Sequence, residues 1–311
     1  MEILQTTWFI LLIVLLSMFF IMGGFDFGVG ILMPFIKKQS RDFSLKQIFP
    51  YWDANQVWLI TAVGALFAAF PLAYSTILSM LYLPVMILLL SLVLRVISIE
   101  FCIHADGRIK SLFINILFLT STLSAFLIGA ILASIFTGSL LIENINFLNL
   151  INISAGILTL CFFANQGAGF LYLRRDNFFD YAYNCRRICV FACYCFVAIL
   201  LFCRFRGVGF LPFVLLLAPA FFLSFSTRIL RREFKTISFI LSSVFVLLMM
   251  FSLAYISYPY IVFPADATTR ISVADSSSQT TLFIMLIVAL VGVPLALAYT
   301  AYAHFILRKT H

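Results

Sequence analysis

Charge is what this chain of 311 residues has least of: Asp, Glu, Lys and Arg together make up only 10%. Soluble domains carry about 25%, so an ordinary water-facing surface is excluded. Histidine is nearly missing, with only His104, His304 and His311 in the whole chain. None of the three falls mid-way along an apolar run. Haem iron in membranes draws its axial ligands from such side chains or from Met, and Met249 and Met250 have nothing to pair with. The chain is therefore expected to ligate no haem itself. The 7 cysteines form an odd set without metal-motif spacing. Cys185, Cys189 and Cys193 do fall four apart on one helical stripe. A metal or redox site would need partners from another helix; otherwise they fill space as small apolar residues. Internal repeats, low-complexity segments and any loop long enough for a soluble domain are also missing.

What is present is apolarity, at 64% of residues. Runs of about 20 apolar residues recur, each long enough to cross a hydrocarbon core. They are continuous, where barrel strands would alternate, so the expectation is an all-α polytopic membrane protein, residues 1–311 forming a single transmembrane domain. Nine spans are read, at about 8–36, 54–72, 77–99, 112–137, 150–173, 188–204, 208–227, 237–257 and 281–306. When alternate loops are assigned to opposite sides, 17 of the 20 basic residues fall on one side, and only Arg204, Arg206 and Arg270 on the other. The positive-inside rule then places the N-terminus outside and the C-terminus in the cytoplasm. The net charge of +8 thus orients the protein and is no nucleic-acid footprint. The Lys37–Lys38 exit and the internal Asp26 argue against a cleaved signal peptide. Residues 258–280, on the outward side, are expected to be a loop, with Ser276 and Gln279 forming a capping box for the last span.

Polar residues inside such spans are costly and therefore informative. "IMGGFDFGVG", residues 21–30, puts Asp26 roughly 15 Å from the cytoplasmic exit. A charged side chain there costs at least about 2.5–3.5 kcal/mol by insertion scales, so it should face protein or water. Gly24 and Gly28 form a G-x-x-x-G face for close helix approach. Gly23 and Gly30 share the face of Asp26 and leave room there for water or a backbone carbonyl. "YWDANQVWLI", residues 51–60, opens the second span with Asp53 and Gln56 at i, i+3, Asn55 beside them, and Trp52 and Trp58 flanking. By itself this pattern equally describes a first-turn acid with interfacial aromatic anchors. With Asp26 it outlines a polar path from cytoplasm to Asp53, Gln56 and Asp26. Arg95 is expected to snorkel to the cytoplasmic face, Glu100 and His104 to form an interfacial ion pair, and Asn165 and Gln166 to bond between helices.

"GGFDFGVGILMPF", "YWDANQVWLITAVGALFAAFP", "LRVISIEF", "NQGAGFLYLR" and "ADSSSQTTL", in that order, resemble subunit II of the cytochrome bd quinol oxidases over nearly the whole chain. The resemblance implies nine helices in two four-helix bundles plus one peripheral helix, in a bacterial cytoplasmic (inner) membrane. It implies a related subunit I as partner, carrying two b-type haems, one d-type haem and the quinol site. The complex would oxidise quinol, reduce dioxygen to water and draw protons from the cytoplasm. By the same resemblance Asp53 matches an acid at a proton-uptake path, Asp26 the acid of the first-helix motif, and Trp58 an aromatic tied to lateral oxygen access. Trp52, Asn55, Glu100 and Gln166 would be supporting polar groups. Small single-helix accessory subunits, and a quinone or lipid held in this chain, are compatible with it. The chain departs from common members in its compact outward loops and in having Gly23 and Gly24 where many have a further acid. Two other classes share these features: a proton-coupled secondary transporter, and a purely structural membrane subunit.

Overall fold

Long apolar runs fold as helices because a lipid core leaves backbone N–H and C=O groups no other partner. The computed structural model describes residues 2–137, 147–203, 210–231, 234–263 and 271–309. The first run forms α1 (Glu2–Met22) and α2 (Gly24–Leu32), broken at Gly23, whose carbonyl accepts from the N–H groups of both Asp26 and Phe27. There follow α3 (Lys38–Ile48), α4 (Trp52–Ala69), α5 (Pro71–Met80), α6 (Tyr82–His104), α7 (Gly107–Thr137) and α8 (Leu150–Arg174). A short 3₁₀ turn precedes α9 (Phe179–Cys203), then come α10 (Phe210–Arg231), α11 (Lys235–Ser257) and α12 (Gln279–Lys309). Six of these helical segments, with α1 and α2 taken together, are long and apolar enough to cross a membrane, or seven if α4 and α5 count as one bent span. Shorter apolar helices cover Leu217–Leu230 and Gln279–Leu295.

Several expected boundaries move. Pro71 sits at the start of α5 and cannot continue the ladder of α4. α5 therefore turns through 116° from α4 and takes in residues 77–80, which the apolar pattern places in the third span. The loop between α11 and α12 carries a small antiparallel pair, β1 (Tyr260–Val262) with β2 (Ile271–Ser272). The N-cap of α12 is Ser278, whose Oγ accepts from the Thr281 N–H. Ser276 is not in the expected capping box; its Oγ accepts from Gln5 Nε2 at 3.0 Å, tying the loop to α1. Ser277 ties the same loop to the end of α4 through the carbonyls of Ala68 and Ala69. Residues 204–209 of the "CRFRGVGF" turn, with Arg204 and Arg206, and Arg270 lie outside the described residues.

α8 is the hub, packing against α2, α7, α9 and α11. Its capping residue Asn149 accepts from the Asn152 N–H at 3.0 Å. The closest crossing is with α2. A Cβ on Gly28 would strike the Phe163 carbonyl and the Gly167 nitrogen, and one on Gly167 would strike the backbone of Gly28 and Val29. Only glycine fits at both positions. α6 and α4 contrast with α8: each turns a broad apolar face outward, including Val63, Phe67, Leu90 and Val93.

Candidate functional site

Asp26 lies one half-turn before the Gly28–Gly167 crossing and is fully buried, at 0% exposure. Two side chains meet its carboxylate. Arg95 Nη2, from α6, donates to Asp26 Oδ1 at 2.7 Å, and Asn55 Nδ2, from α4, donates to Oδ2 at 3.2 Å. Arg95, expected at the membrane surface, is likewise at 0% exposure. Its side chain turns inward because Asp26 offers a compensating charge and the Phe27 ring lies 3.9 Å from its Cζ. Gly30, on the face of Asp26, admits the Ser121 side chain of α7 rather than a backbone carbonyl. Three helices, α2, α4 and α6, thus converge on one carboxylate. A buried pair of this kind is costly to break, since removing one partner strands the other charge.

The remaining residues of the expected path lie on α4. Asp53 is exposed in the first turn, where the helix dipole favours an acid. Gln56 is half-buried, and its Nε2 is an enclosed donor with no partner among the described residues. It lines a cavity of about 840 Å³ between α1, α4, α5, α6 and α7, walled by Phe9, Phe19, Leu66, Tyr74 and Leu92 among others. The amide that touches Asp26 is that of Asn55; no bond between Gln56 and Asp26 is formed. Trp58 is buried and Trp52 half-buried. Glu100 and His104 do not form the expected ion pair: His104 Nδ1 lies 2.9 Å from the Glu100 backbone carbonyl, within its own helix turn.

A second buried cation escaped the sequence reading. Arg186, counted as a loop residue, is 1% exposed inside α9. Its Nε donates to Asn165 Oδ1 at 2.6 Å, its Nη1 to Ser226 and Ser238 Oγ, and its Nη2 to the Ser238 carbonyl at 3.4 Å. Asn165 bonds between helices as expected. So does Gln166, whose Oε1 accepts from Ser242 Oγ at 2.7 Å while its Nε2 donates to Ser243 Oγ at 3.2 Å. A signal for Arg186 existed. Asp26-x-Gly28-x-Gly30 on α2 is matched by Asn165-x-Gly167-x-Gly169 on α8, a short internal likeness that the sequence reading overlooked.

Of the three histidines only the His104 side chain is among the described residues, and its Nδ1 lies against its own helix turn. Among the described residues no group of three or more His, Cys, Asp or Glu could hold a metal ion.

The fold and this site define a polytopic helical membrane protein with a charged pair sealed between its helices. Comparison with known proteins narrows the class. The family described as cytochrome bd terminal oxidase subunit II matches residues 4–307, and the chain belongs to that family. It is 36% identical over 183 residues to the cytochrome bd ubiquinol oxidase subunit 2 of Bacillus subtilis, covering 55% of this chain and 54% of that one. To the cytochrome bd-I ubiquinol oxidase subunit 2 of Escherichia coli K12 it is 33% identical over 187 residues, covering 56% and 49%. The chain thus spans about half the length of the curated relatives it matches. A chain of the bd oxidase structure from Geobacillus thermodenitrificans has the same fold, with a TM-score of 0.76 at 17% identity, covering 99% of this chain and 98% of that one.

Proposed function

We propose that this chain is the haem-free subunit II of a cytochrome bd-type terminal oxidase, a complex that oxidises quinol and reduces dioxygen to water. The family match over residues 4–307 carries the reading. The partner is a haem-bearing subunit I, with two b-type haems and one d-type haem, in a bacterial cytoplasmic membrane. Small single-helix subunits could join them. Electron transfer belongs to those haems, and this chain's own residues bind, orient and move protons. Its spans number nine: α1 with α2, α4, α6 and α7 as one bundle, α8 to α11 as the other, and α12 outside both. The contacts of α1 with α4 and α6 with α7, and of α8 with α9 and α10 with α11, support that division, with α8 joining the two bundles through α2 and α7. The N-terminus faces outward. Moving Arg95 and Arg186 from loops to the interior still leaves the loop cations heavily one-sided.

Protons are taken up at Asp53 and reach Asp26 by way of Gln56 and the neighbouring Asn55. The exposure of Asp53, together with the Asn55–Asp26 contact two residues further along the same helix, supports this route. The apolar cavity beside Gln56 suits a quinone or lipid, and Trp58 borders the route by which oxygen crosses from lipid. Asp53→Asn should slow oxygen reduction by the assembled complex while its haem spectrum stays intact. Turnover equal to the wild type would remove Asp53 from the route. A proton-coupled transporter is the reading to fall back on if the purified chain carries solute without a haem-bearing partner.

A further inference from the structure

Where α1, α7, α8, α9 and α11 come together, a second and smaller cavity of about 70 Å³ is left open. Its origin lies in the helix crossing beside it. Gly129 lets α7 approach α8 so closely that a Cβ there would strike the Thr159 side chain and the Ala155 carbonyl. The short side chains of Ala133 and Ala155 then wall the space without filling it. Thr159 supplies the sole polar side chain among the described residues that line it. A buried water needs roughly two to four polar partners, and apolar cavities without them stay dry and take up apolar guests such as xenon. Met249 and Met250, which sequence left without a role, present polarizable thioethers to this space. Such atoms hold a small apolar guest by dispersion, without hydrogen bonds.

The chamber is too small for a quinone or a lipid chain, for which the cavity of about 840 Å³ beside Gln56 has room. The two spaces nevertheless adjoin, because Phe20, Leu132 and Phe136 line both. Leu132 and Phe136 are only half-buried, and rotation of such side chains is fast. The larger cavity in turn reaches the outward apolar face of α4 and α6 at Ile60, Val63 and Val93. An apolar path thus runs from that face to the chamber with no water to cross. Trp58 lines neither space, so the chamber is separate from the oxygen route that it borders. We infer that this chamber binds a diatomic apolar gas drawn from the membrane's hydrocarbon, and that dioxygen is its occupant in the working complex. The gas site stands on the cavity alone; the choice of dioxygen rests on the function proposed above.

The assembled complex under xenon pressure tests the site, xenon being an electron-rich apolar atom. A xenon peak beside Met249 and Met250 is expected in the wild type. A chamber left empty while xenon enters the larger cavity, or one closed by side chains or filled by a lipid chain, overturns the site. Ala133→Leu fills the chamber from the α7 side. It should abolish the peak and raise the KM for oxygen a few-fold with kcat unchanged, the pattern of lost binding and not of lost chemistry. A wild-type xenon peak joined to an unchanged oxygen KM in that variant would overturn dioxygen as the occupant. If Ala133→Leu does not assemble, Val246→Leu fills the space from α11 and is read in the same two ways. A complex that shows the peak yet reduces no oxygen refutes the function proposed above and leaves the gas site standing.

Discussion

Asp26 on α2 and Asn165 on α8 occupy matching places in two helices that touch back to back at Gly28 and Gly167, yet each meets its arginine differently. Arg95 has an ionic partner and a single bond to it. Arg186 has four bonds to three residues, and every acceptor it reaches is neutral. The first arrangement cancels charge but leaves polar atoms idle; the second leaves charge uncancelled but spends every nitrogen. A sparse, charged cluster can exchange partners and protons, whereas a fully bonded network fixes helices relative to one another. On the proposed function, the first would be a site and the second a fastening, although the surrounding sequence motif is shared.

The contrast can be broken most forcefully at Arg95. Arg95→Leu strands the Asp26 carboxylate and should cost about 3–5 kcal/mol, read as thermal unfolding of the detergent-solubilised protein. Adding Asp26→Leu should recover most of that loss, because the cost lies in the unpaired charge; a double variant as unstable as the single would refute this. Arg186→Leu removes bonds but strands no charge, and should cost only about 1–3 kcal/mol in the same measurement. A loss as large as that of Arg95→Leu would erase the distinction. Gly28→Ala pushes a methyl group into the backbone of α8 and should cost about 1–3 kcal/mol through overpacking. Gly167→Ala on top should add less than its separate cost, since both press on one crossing. The smallest effect is expected from Asn165→Asp, which makes the second half resemble the first. A bond to a charged acceptor exceeds one to a neutral acceptor by about 1 kcal/mol, so stability should hold or rise by up to that amount.

Much of the fold could be read along the chain. Continuous apolar runs and the Gly24–Gly28 pair pointed to membrane helices and to a close crossing, and α8 supplies the partner at Gly167. The bend after Phe70 was less legible, because Pro71 marks where a helix must break and not where the chain goes next. Asp26 stood out by its cost, but its partners did not. Arg95 is 69 residues away, and an arginine near a span end is as compatible with snorkelling as with burial. Arg186 was hidden likewise by a helix that starts nine residues earlier than the apolar run, at Phe179.

The order of apolar runs, the scarcity of charge and the motifs around Asp26 and Asp53 are properties of the chain itself. They fixed its class, its family and the residues that deserve a test, since transfer into lipid is priced residue by residue. Which charge meets which was decided only by packing. Opposite charges in a low-dielectric interior attract over distances that depend on how helices cross, and the crossing angle and register of α2, α6 and α8 are written in no local segment.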